Sequence, residues 1–184
     1  MKPPRRPLPV TLDRLTNRAL HYLERFSASE KSLRDVLMRR ARPAGRLHGQ
    51  AEPDIRAMVE QVVTRLREGG LLDDRRFAEG RAATLARTGR SARRIRDTLK
   101  SKGIEGSLIA AAMAVADREA DELTRAHAFA RRRRLGPYRQ PPDPGRRMKD
   151  LAAMARAGFA PDTARRVIDG ESDETQQAWA PIRG

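Results

Sequence analysis

Apolar residues along this chain fall at three- and four-residue intervals, and the phase resets at glycines, prolines and small hydroxyl residues. That is the pattern of short amphipathic helices. Thr11 is a candidate N-cap, followed by Leu12, Leu15, Ala19, Leu20, Leu23 and Phe26 as a first apolar set. A second helix is expected after Ser29, with Leu33, Val36 and Leu37 on one face. A third carries Ile55, Met58, Val59, Val62, Val63 and Leu66, the clearest stripe in the chain. Pro53 suits its first turn and Gly69-Gly70 its end. A Pro- and Gly-bearing insertion from Arg42 to Pro53 separates it from the second helix.

The plan then recurs. Asp73 is a cap for a helix with Phe77, Ala78, Ala82 and Leu85, and Ser91 for one with Ile95 and Leu99 that stops at Gly103. Ile104, Leu108, Ile109 and Met113 open the next. A shift of 62 positions lays Leu15 on Phe77, Leu23 on Leu85, Ser29 on Ser91, Leu33 on Ile95 and Leu37 on Leu99. A further shift of 55 lays Leu99 on Met154, Gly103 on Gly158 and Ile104 on Phe159. Helices are expected there at roughly 119–135, 146–157 and 161–169, with a Pro-rich connection at 141–145. No alternating run reads as a strand.

The expected fold is therefore all-α: three tandem three-helix repeats in an elongated array, each burying part of its face on a neighbour. The boundaries fall at 11–70, 71–118 and 119–170. Residues 1–10 read as a disordered basic arm and 171–184 as a disordered tail.

Composition narrows the chemistry. The 184 residues include no cysteine, which excludes disulfides, thiolate metal sites and cysteine nucleophiles. His21, His48 and His127 are scattered, none at helical ligand spacing from another, so they read as surface or half-buried residues. No apolar run approaches the ~20 residues that span a bilayer, and the N-terminus lacks a secretory apolar stretch. A cytoplasmic monomer is expected. The net charge is +15, spread as +7, +5 and +5 over residues 1–70, 71–118 and 119–170. Such an excess commonly serves contact with a polyanion.

Candidate catalytic features dissolve on inspection. Asp73 and Asp74 point about 100° apart at a helix start, with no third ligand nearby, so capping explains them better than metal binding. Gly69-Gly70 and Gly103 lie in no phosphate-loop motif, and no nucleophile-elbow or zinc-protease motif occurs. Neither a catalytic residue, a metal ligand nor a cofactor is assigned.

The informative residues are basic. After Ser91, Arg93, Arg96 and Lys100 sit at about 0°, −60° and −20° of helical angle, opposite Ile95 and Leu99. Arg131, Arg132, Arg133 and Arg134 form a denser run. Each set reads either as a solvated charged face or as a surface for phosphates or acidic protein patches.

The stretch Gly70-Leu71-Leu72-Asp73-Asp74-Arg75-Arg76-Phe77-Ala78, with Ile95 to Leu99 and Lys102-Gly103-Ile104, resembles the central repeat of the RecX family. Ala19 to Leu23, Leu33 to Leu37 and Arg156-Ala157-Gly158-Phe159 fit its outer repeats more loosely. The resemblance spans about Leu12 to Ile168. It departs from the family at Ala157, where a second basic residue is more usual, and at the two Pro-bearing insertions. It implies a non-enzymatic regulator that lies along the groove of the RecA–DNA filament and restrains recombinase and ATPase activity in recombination, repair and the SOS response. Weak, non-specific DNA contact would accompany that role. A second function class also fits the charge: an independent DNA-binding protein of helix-turn-helix type.

Overall fold

The protein is described by a computed structural model covering residues 8–170. Among these residues are nine α-helices and no strand. They are α1 (Leu12–Leu23), α2 (Glu30–Leu47), α3 (Glu52–Glu68), α4 (Asp74–Arg87), α5 (Ala92–Ser101), α6 (Gly106–Glu119), α7 (Glu122–Arg133), α8 (Arg147–Arg156) and α9 (Pro161–Ile168). Two single-turn 3-10 helices, Gly136–Tyr138 and Pro144–Arg146, bridge α7 to α8. The all-α expectation holds.

The chain forms two compact units. Among the described residues, one comprises 8–77 with 102–104, the other 78–101 with 105–170. In the first, α1, α2 and α3 pack pairwise around Leu15, Ala19, Leu33, Leu37, Ile55, Val59, Val62, Val63 and Leu66. Thr11 caps α1 by accepting from the Arg14 amide at 3.3 Å. Two residues of the predicted apolar set behave otherwise. Leu20 is 36% exposed, because it lies about 100° round the helix from buried Ala19. Phe26 lies past the end of α1 and is half exposed beside Tyr22.

The sequence insertion from Arg42 is largely helix. α2 continues through Pro43 to Leu47. Proline removes one backbone donor, but Pro43 and Arg39, whose carbonyl loses that donor, are both exposed. Gly45 is buried where a Cβ would collide with the Ile55 side chain, so glycine sets the approach of α2 to α3. The fold also begins before Thr11. Val10, assigned to the arm by sequence, is buried and its amide and carbonyl are both bonded to the Gln50 side chain, at 2.7 and 2.9 Å. The rest of the arm up to Pro7, and the tail from Glu171, lie outside the described residues.

In the second unit, α5 packs on α6, and α7, α8 and α9 enclose a core of Ala126, Ala130, Leu135, Met154, Phe159, Ala164 and Val167. α4 contributes buried Ala82, Ala83 and Ala86, small residues that permit close helix approach. A pair between half-buried Arg139 and buried Asp150, at 2.7 Å, ties the bridge after α7 to α8. His127 departs from the expected surface or half-buried setting: it is buried, with its Nδ1 2.8 Å from the Tyr138 hydroxyl.

Several of the aligned landmarks occupy equivalent environments, although Leu15 is buried and Phe77, laid on it, is only half-buried. Leu33 and Ile95, and Leu37 and Leu99, are all fully buried, as is Met154. Gly103 and Gly158 both have positive φ, at 78° and 89°, and each is followed by a buried apolar residue, Ile104 and Phe159.

Candidate basic interface

The basic candidates sit mainly on α5. Its start is fixed by Ser91, whose Oγ accepts from the Arg94 amide at 3.2 Å. The Ala92 amide donates to Glu122 at 3.0 Å, so an acidic side chain of α7 supplies a second cap. Ile95 and Leu99 are wholly buried, which forces Arg93, Arg96 and Lys100 to the solvent side. All three are exposed, as their helical angles predict. Arg93 is 78% exposed and reaches Asp97 at only 4.0 Å. An exposed pair of that kind contributes about 0–1 kcal/mol and leaves the cation available.

The Arg131–Arg134 run disperses. The Arg131 guanidinium lies 5.4 Å from the Tyr138 ring centroid. Arg132 donates to the Thr88 carbonyl and lies over Phe129. Arg134 ends α7 in the left-handed conformation, φ 53°, and its backbone takes the terminal carbonyls. Arg133 points to a different setting. It lines a cavity of about 360 Å³ together with Arg90, Arg94, Arg156, Phe129 and Phe159. The run is therefore not one patch: two members stack on aromatic rings, one closes a helix, and one joins arginines from other helices.

Arg90, Arg94 and Arg156 were not singled out from sequence. One signal was available: neither they nor Arg133 has an acidic residue four positions away in either direction, so no helical i,i+4 pair can occupy them. Which of them converge is a property of packing.

Arg125 was also missed. Its side chain is only 1% exposed, and it donates to the Ala120 carbonyl, Asp117 and Glu122 at 2.8, 3.0 and 2.7 Å. It is a structural clamp joining α6 to α7, and Glu122 in turn holds the start of α5.

The acidic residues flagged in the sequence act as caps. Asp73 accepts from the Arg76 amide at 2.9 Å. Asp74 accepts from the Glu30 amide at the head of α2, at 2.8 Å, and burial pushes its carboxyl above the usual range despite that bond. Among the described residues no group of three or more His, Asp or Glu could hold a metal ion. No helix among them is long and apolar enough to cross a membrane.

Comparison with known proteins places this arrangement. The model of the RecX second three-helix domain matches residues 73–113, the segment from the α4 cap to α6. A protein of Myxococcus xanthus named regulatory protein RecX is 40% identical over 168 residues, covering 90% of this chain and 90% of the relative. The chain belongs to the RecX family. A regulatory protein RecX of Agrobacterium fabrum is 34% identical, over 87% of this chain and 84% of its own. Two solved RecX structures share the fold. One has a TM-score of 0.62 at 23% identity, over 86% of this chain and 71% of the other. The other, from Lactobacillus salivarius, has a TM-score of 0.58 at 20% identity, over 86% and 94%. A regulatory role is thus shared with RecX relatives that span nearly the full length of this chain.

Proposed function

We propose that this RecX-family chain is a non-enzymatic regulator that binds the RecA–DNA nucleoprotein filament and inhibits RecA recombinase and ATPase activity in recombination, DNA repair and the SOS response. The supporting observation is an exposed cationic face on α5, Arg93, Arg96 and Lys100, within the segment that matches the RecX domain model. Its guanidinium groups suit phosphates and carboxylates, the two anions such a filament presents. Relatives named regulatory proteins over almost the whole chain add support.

The accompanying proposals are that the chain acts as a cytoplasmic monomer, with repeats at 11–70, 71–118 and 119–170, and that its contact with bare DNA is weak and non-specific. Arg131 to Arg134 remain filament-contact candidates in this scheme. The test adds purified protein to preformed recombinase filaments and follows ATP hydrolysis and filament length. Suppressed hydrolysis with shortened filaments is expected. Unchanged filaments, together with strong selection of one short DNA sequence, would instead establish the independent DNA-binding reading.

A further inference from the structure

Four arginines surround the cavity of the second unit: Arg90 from the turn after α4, Arg94 from α5, and Arg133 and Arg156 from the last positions of α7 and α8. All four are exposed, and among the described residues no acidic residue lines the cavity. Among the described residues none of these four guanidiniums forms an ion pair. Some arginines elsewhere are closely paired: Arg34 with Glu60, Arg42 with Glu52 and Arg147 with Asp169 lie within 2.8 Å. A basic groove in the first unit carries its own counter-charges, Asp35 and Glu60. The second-unit cavity does not.

Four like charges converging without a counterion repel one another, and a bound anion relieves that repulsion. Phe129 and the buried Phe159 form an apolar part of the wall, which lowers the local dielectric and strengthens attraction to an anion. At about 360 Å³ the space falls at the small end of ligand sites, too small for a folded partner and ample for a phosphate chain. Charge selects further. An internal nucleic-acid diester carries one negative charge, whereas phosphomonoesters and polyphosphates carry more and offer several oxygens to bidentate guanidiniums.

We propose that this cavity binds a multiply charged phosphate group, a phosphomonoester or a di- or triphosphate. Two sources present that chemistry: a free nucleotide and the phosphorylated end of a nucleic-acid strand. The cavity belongs to this chain alone, so its occupancy is independent of any recombinase.

The test is calorimetric titration of the full-length protein with sodium tripolyphosphate and with ADP at about 0.15 M salt. One saturable site is expected. The double variant Arg94→Ala/Arg156→Ala should bind about tenfold more weakly or worse, since charge-assisted hydrogen bonds are lost. Arg81→Ala/Arg118→Ala, an equal charge change at exposed positions outside the cavity, should bind like the parent. Melting curves check folding. If the alanine pair does not fold, Arg94→Lys/Arg156→Lys keeps the charge and removes the planar fork, and should still weaken binding severalfold. Competition by 5′-phosphorylated over 5′-hydroxyl oligonucleotide identifies a strand end as the source, and competition by ADP alone identifies free nucleotide. The proposal is overturned if no saturable site exists, if both double variants lose binding equally, if a 5′-hydroxyl oligonucleotide competes as well as its phosphorylated form, or if a polyglutamate peptide displaces tripolyphosphate at equal charge.

Discussion

The hydroxyl of Ser29 donates to the carbonyl of Lys102 at 2.7 Å while its oxygen accepts from the Ser32 amide at 3.1 Å. In the second unit Ser91 does the same: it donates to the Ala157 carbonyl at 2.7 Å and accepts from the Arg94 amide at 3.2 Å. Each serine is an N-cap that also fastens the turn ending a later helix, just before a glycine with positive φ. Both are essentially fully buried. Ser29→Ala and Ser91→Ala should each cost about 1–3 kcal/mol, more than an exposed cap, because a distant carbonyl is orphaned too. Urea unfolding measures this. A loss no larger than that of the exposed cap variant Thr11→Ala would mean the second bond adds nothing.

A paired comparison isolates the packing of the glycine turn. Gly70 and Gly158 both have positive φ, 71° and 89°, so alanine at either meets the same backbone strain of about 1–2 kcal/mol. A Cβ on Gly70 meets nothing within 4 Å, whereas one on Gly158 would lie 2.8 Å from Ser91 Oγ and 3.3 Å from Arg93 Cβ. Gly158→Ala should therefore be clearly the more destabilising. Equal midpoints in denaturation would show that the turn yields freely.

Arg125→Met tests the buried clamp. Methionine fills much of the same volume but leaves Asp117 and the Ala120 carbonyl without this donor and Glu122 with the Ala92 amide alone. Breaking a buried pair by removing one partner costs about 3–5 kcal/mol, discounted here because Asp117 and Glu122 are partly exposed. A loss of about 2–3 kcal/mol is expected in thermal or denaturant unfolding. Wild-type stability would refute the clamp.

Acid should loosen α7. The Thr124 amide bonded to Asp121 holds that carboxyl below its ordinary value of 3.8. A group depressed in the folded state contributes stability above its unfolded value and loses it as pH falls through the folded one. Asp121→Ala should thus cost about 1 kcal/mol at pH 7, with the difference from the parent shrinking below about pH 4. Stability measured against pH decides it. A difference that stays constant into acid would exclude the carboxylate as its origin.

The functional reading is tested on α5. Replacing Arg93, Arg96 and Lys100 together by Ala should leave folding nearly intact, since all are exposed and Ala favours helix. Inhibition of recombinase filaments should weaken, whereas each single change should be barely visible at about 0–1 kcal/mol per exposed pair. Ile95→Asp, at a wholly buried position, should unfold the segment and serves as the folding control. Full inhibition by the triple variant would show the face to be merely solvated.

Much of this molecule is written locally. The helical period placed Leu33, Leu37, Ile95, Leu99 and Met154 on buried faces, and Thr11, Ser29, Asp73 and Ser91 were legible as caps. Those features depend on residues within one or two turns, so one sequence suffices. The exposed face of α5 followed from the same geometry. Tertiary structure decided what depends on distant surfaces. Pro43 ends nothing because its helix is held by packing that a propensity scale does not contain. The Arg131–Arg134 run separates because Tyr138 takes the Arg131 guanidinium while Phe129 and the Thr88 carbonyl hold that of Arg132. Arg90, Arg94, Arg133 and Arg156 meet across up to 66 positions of chain, and the Ser29 and Ser91 hydroxyls find carbonyls 73 and 66 residues away. Such partners are selected by which helix faces are buried together, and that choice is made by the whole apolar surface at once.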